Sequence, residues 1–155
     1  MIKLYWKILF SFFTLLSLYF KAVSLIFRKK HDFKEFRNEY TNEKKGKYQI
    51  AGVYIIFYNN EILYVGESDN ILDRLGNTHY SGGKGAGSDL IDKLYEFGIL
   101  KEENRNKRRD GLKNIGLKVK YLELEKNDKE RQQRHRIRKF YESFFITILN
   151  PKCNK

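Results

Sequence analysis

Cysteine is almost absent: Cys153 is the only one in 155 residues. That excludes an intrachain disulfide and a multi-cysteine zinc site, so the fold has to rest on its own apolar core. Acidic residues are scarce too, 19 against 31 Lys and Arg, for a net charge of +12. Such a balance favours nucleic acid or an acidic membrane surface as partner, and by itself does not choose between them. Internal repeats, low-complexity tracts and Walker-type glycine spacing are all missing, and the length leaves no room for a second large domain.

The basic excess is uneven. Residues 1–47 hold 11 Lys and Arg against 4 Asp and Glu, a net +7, and residues 48–155 hold 20 against 15, a net +5. Ile8–Phe20 is a run of 13 uncharged residues between Lys3 and Lys7 on one side and Lys21, Arg28, Lys29 and Lys30 on the other. It is too short to span a bilayer, but Leu4–Phe27 reaches 24 residues, about 36 Å of helix at about 1.5 Å per residue if Lys7 and Lys21 snorkel. Residues 1–30 are therefore read as a hydrophobic, basic leader. A membrane anchor, a signal peptide ending at Ala22-Val23-Ser24, and a helix lying on a membrane or on the domain all remain open. For an anchor, Arg28-Lys29-Lys30 places the rest of the chain on the cytoplasmic face; the alternatives are soluble cytoplasmic or secreted.

Residues 31–47 mix both charge signs with few aliphatics and read as a charged linker, a short helix or a solvated stretch ending near Gly46. From residue 48 the pattern changes. Ile50–Phe57 and Ile62–Val65 are strand-like around the turn Asn59-Asn60-Glu61, which predicts a hairpin. A helix is expected over Asp69–Leu75, capped by Ser68 or Asp69, and another over Asp89–Phe97, capped by Ser88 and stopped by Gly98. Ser81–Ser88 reads as a flexible loop and residues 101–114 as a charged connection. Leu117–Leu124 alternates as a half-buried strand does, and a last helix runs from Lys129 to Leu149 before Asn150-Pro151. The expected fold is a small α/β domain over 48–155, a short antiparallel sheet of a hairpin plus a third strand flanked by helices.

On that hairpin stand Gly52-Val53-Tyr54 and Tyr64-Val65-Gly66, which puts two tyrosines on paired strands, able to share one face. Arg74 follows Gly66 by eight residues, and Glu142 lies in the last helix ahead of Asn150-Pro151 and Asn154. These anchors, in this order, resemble the GIY-YIG nuclease family. The resemblance implies an endonuclease that hydrolyses DNA phosphodiester bonds. Hydrolysis needs an activated water, a cation for the developing charge and a metal for the leaving oxygen. Glu142 alone can hold Mg²⁺ (or Mn²⁺) that completes its shell with water and phosphate oxygens, a one-metal site. Arg74 suits the phosphate oxygens through parallel hydrogen bonds. By the resemblance, Tyr54 is the general base, Tyr64 positions water or phosphate, and His79 assists. Glu67 departs from relatives that carry lysine or serine there, and is expected to hold a water or cap the next helix.

At about 100° per residue, Arg131, His135, Arg138 and Glu142 share a stripe of the last helix, with Ile137, Phe140, Phe144 and Ile148 opposite. Arg131, Arg134 and Arg138 are accordingly expected to track phosphates, with Lys84 and Asn154 as further DNA contacts. A catalytically silent, membrane-tethered DNA-binding module and a secreted or envelope nuclease are the rival readings. One site per chain implies nicking, or a homodimer for a double-strand break.

Overall fold

The computed structural model describes residues 27, 31–34, 50–79, 89–124 and 131–154. Strands β1 (His31–Asp32), β2 (Gly52–Tyr58), β3 (Glu61–Ser68) and β4 (Lys118–Glu123) form one antiparallel sheet in the order β1-β4-β2-β3. Between β3 and β4 come α1 (Ile71–Asp73), which continues as a π-helical turn over Arg74–His79, then α2 (Asp89–Glu96) and α3 (Arg105–Leu112). After β4 the long helix α4 (Arg131–Leu149) leads into a closing 3₁₀ turn, Lys152–Asn154.

The hairpin forms because Asn59 and Asn60 both take left-handed φ, 47° and 65°, which two-residue turns between twisted strands demand and asparagine tolerates. Tyr58 pairs directly with Glu61, so the turn holds two residues where three were expected. Ile56 pairs with Tyr64 but Phe57 with Ile62, leaving Leu63 as the extra residue of a bulge. The bulge lets Leu63 and Tyr64 both pack on the same face of the sheet.

Alternation along β2 then divides the core. Tyr54 and Ile56 join Leu63, Ile71, Leu75, Leu90, Leu94 and Leu112 in the larger cluster, beneath α1, α2 and α3. Val53, Ile55 and Val65 face the other way and are covered by Phe145 of α4 and by Phe27. The result is a sheet with helices on both faces, a mixed α/β fold as expected.

Four expectations are corrected. Residues 31–34, read as linker, belong to the fold: β1 pairs with β4, and Phe33 is buried and donates its amide to Leu117 O at 2.9 Å. Two residues of strand are too short to show alternation. Helix α1 is capped by Asn70, whose side chain accepts from Asp73 N, while Ser68 Oγ accepts from Asn70 N. Within 101–114 a helix forms, α3, because Asn104 accepts from two following amides and Arg108 bonds Asp92 and lies 3.4 Å over the Tyr95 ring. Finally, α4 is rotated from the expected face. Arg138, Tyr141, Phe145 and Leu149 turn toward the sheet, leaving Phe140 and Phe144 exposed. The expected leader helix, the Ser81–Ser88 loop and the Ser88 cap lie outside the described residues.

Candidate active site

The two glycines of the hairpin make room for the site. A Cβ on Gly52 would stand 2.0 Å from Leu122 O on β4, and one on Gly66 would stand 2.6 Å from Tyr54 Oη and 2.7 Å from Tyr64 Cε1. Only glycine allows the Tyr54 ring to lie across β3 at that point. Tyr54 and Tyr64 consequently share one face, as expected, with ring centroids 6.1 Å apart.

The chain turns at Asn70 and delivers Arg74 and His79 to those rings. Five residues of α-helix would set these side chains about 140° apart. The i→i+5 bonding of the π turn instead brings them to the same side. His79 is buried, its Nε2 shares a 2.7 Å hydrogen bond with Tyr54 Oη, and its ring stands edge-on to both tyrosines. Arg74 hydrogen-bonds both phenols. Burial pushes the Tyr54 phenol well above its usual range, the neighbouring Tyr64 adds to this, and Arg74 opposes both without prevailing. Tyr64 is raised for the same first reason. Burial works to depress Arg74, but the two phenols outweigh it and the guanidinium is held more firmly protonated.

Glu142 arrives from α4 and lies close enough to raise both phenols electrostatically. Its side chain is 14% exposed and accepts a 2.7 Å bond from Lys139 Nζ. The same ammonium is 3.6 Å from Glu67 Oε1. Glu67 neither caps α1 nor stands free. It takes Arg138 Nε at 2.8 Å and faces His135 Nδ1 at 3.7 Å, so it ties β3 to α4. Among the described residues no three His, Cys, Asp or Glu gather as a metal cage. A lone carboxylate can serve only an ion that keeps most of its waters, and a metal at Glu142 would take the place of Lys139 on it.

The other expected contacts fare unequally. Arg138, expected on the phosphate track, is buried and paired with Glu67 rather than presented to solvent. Asn154 is likewise spent on structure: its amide donates to Val65 O and accepts from Val65 N, each at 2.8 Å, closing the edge of β3. Arg134 is half-buried on α4. Arg131 opens α4, and its side chain, like Lys84, lies outside what is described. Lys139 and the Glu67 hub went unread in the sequence, although an acid directly after Gly66 facing a cation-rich helix was the available signal.

The site is thus a tyrosine pair on a hairpin of a small α/β domain, met by an arginine and a glutamate from separate helical elements. The sequence model of the GIY-YIG catalytic domain matches residues 50–134, more than half of the chain, and the chain belongs to the GIY-YIG family. That family consists of nucleases, generally endonucleases acting on DNA with a divalent metal. No curated protein and no solved structure matches the chain. The family match takes in Tyr54, Tyr64, Arg74 and His79 and ends before Glu142.

Proposed function

We propose that the chain is a metal-dependent DNA endonuclease with a single divalent ion, Mg²⁺ or Mn²⁺, held by Glu142. The observation that carries this reading is the convergence of Tyr54, Tyr64, Arg74 and His79 on one face of the hairpin, with Glu142 of α4 near enough to act electrostatically on both phenols. A DNA binder has no use for a buried phenol–imidazole bond or for a lone carboxylate beside it. Arg74 binds the non-bridging oxygens of the scissile phosphate as a planar, permanently charged donor.

Tyr54 acts as base together with His79. Its phenol stays protonated in neutral water because burial holds it up, so it can accept a proton from water only while passing its own along the 2.7 Å bond to Nε2. The hydroxyl of Tyr64 orients the attacking water. When bound, the ion supplies Lewis-acid stabilisation to the leaving oxygen. One site cuts one strand, and a double-strand break requires two copies.

Separating binding from cleavage tests the assignment. Glu142→Ala should lower the cleavage rate by about 10²–10⁴-fold, since a metal's share of transition-state stabilisation is several kcal/mol. DNA affinity, measured by anisotropy in Ca²⁺, should hold within a few-fold. Full cleavage by the variant would remove Glu142 from the site.

A further inference from the structure

Three large apolar side chains are exposed among the described residues, Phe97, Phe140 and Phe144, and two of them adjoin on α4. Phe140 is 66% and Phe144 40% exposed. Their rings stack at 6.2 Å and 20°, between the half-buried Ile137 and Ile148 and beside the exposed Arg136. Phenylalanine with arginine along one helix face is the composition of helices that lie in a lipid headgroup layer.

The chain itself points the same way. Phe27 is buried with its ring 4.9 Å from that of Phe145, the neighbour of Phe144. The 13-residue uncharged run ends at Phe20, and Lys21, Arg28, Lys29 and Lys30 surround the connection. The apolar, basic stretch of the sequence thus joins the described fold at Phe27, beside α4. We propose that the Phe140–Phe144 face of α4, with Arg136, docks on an anionic lipid bilayer.

The arrangement suits the site. Phe140 and Phe144 are two residues either side of Glu142, about 160° around the helix from it, so a docked bilayer leaves the Glu142 face open. A second copy is a poorer occupant. At about 150–250 Å² per aromatic ring, the exposed parts of two rings offer roughly 200 Å², far below the ~800 Å² per partner of a stable interface.

Labelling tests this on the full chain. Cys153 is fully buried and its thiol is pushed up to about 11, so a new surface cysteine takes a fluorophore selectively. Phe144→Cys and, separately, Phe140→Cys would carry the label, with Asp110→Cys on the exposed side of α3 as control. On phosphatidylcholine vesicles containing phosphatidylserine and a lipid-borne quencher, labels at 140 and 144 should be quenched at least 3-fold more than at 110. The difference should shrink in high salt and on purely zwitterionic vesicles. Overturning results would be equal quenching at the three positions, a label shielded without vesicles until residues 1–26 are removed, or a label shielded only as the protein dimerises.

Discussion

Tyr54 is the residue on which both fold and chemistry converge. Its ring crosses Gly66, its hydroxyl meets His79, and Arg74 bonds it from the same turn. Tyr54→Phe keeps the packing and removes the hydroxyl, so single-turnover cleavage should slow by about 10²–10⁴-fold, the usual worth of a positioned acid–base group. Tyr58→Phe, on the same face but near the hairpin turn, should leave the rate within a few-fold; equal losses would mean that both tyrosines only pack. Gly66→Ala should be as damaging by a different route. The added methyl meets the Tyr54 and Tyr64 rings below 3 Å, an overpacking that costs roughly 1–3 kcal/mol and displaces the hydroxyl. Denaturant unfolding would register the first effect and the cleavage rate the second. The tyrosines, Arg74 and Glu142 were legible in the sequence because each sits in a spaced motif. The Tyr54–His79 bond was not, because it depends on a π turn that no local pattern announces.

Among the elements, β3 and α4 carry the arrangement that the sequence concealed. An acid after Gly66 and an arginine 71 residues later give no periodic signal, yet they form the buried joint that fixes Glu142 against the hairpin. Glu67 and Arg138 have side chains 13% and 9% exposed, so removing one partner leaves the other charge stranded. Glu67→Ala should destabilise the protein by roughly 3–5 kcal/mol, and Glu67→Leu combined with Arg138→Leu should recover most of it. The same burial reverses an expectation drawn from helical geometry. Arg138→Gln should lower stability while leaving the log–log salt slope of DNA binding unchanged, whereas a phosphate contact would subtract roughly 0.9 from that slope. A shallower slope in that variant would restore the phosphate track. Within the stripe of Arg131, His135, Arg138 and Glu142, Arg138 is buried against Glu67 while His135 is exposed, and helical periodicity alone does not tell which side of an amphipathic helix is inward when both sides carry large side chains.

For the whole molecule, the order of hairpin, helix, helix, strand and helix was readable from alternation, caps and Gly98. The elements that escaped are those with little apolar periodicity: β1, with two residues, and α3, where Leu112 is the buried residue of eight. The family was legible further than the architecture, since the spaced motif residues resemble the GIY-YIG pattern and the family model matches residues 50–134. The most direct measurement is the fate of supercoiled plasmid incubated with the purified full chain, with Mg²⁺ or with excess EDTA. Conversion to open-circular and then linear DNA, present with Mg²⁺, abolished by EDTA and lost in Glu142→Ala, is the predicted result. Plasmid that is shifted in mobility by bound protein, yet remains supercoiled after the protein is removed in every divalent ion, would contradict it and leave a DNA-binding module.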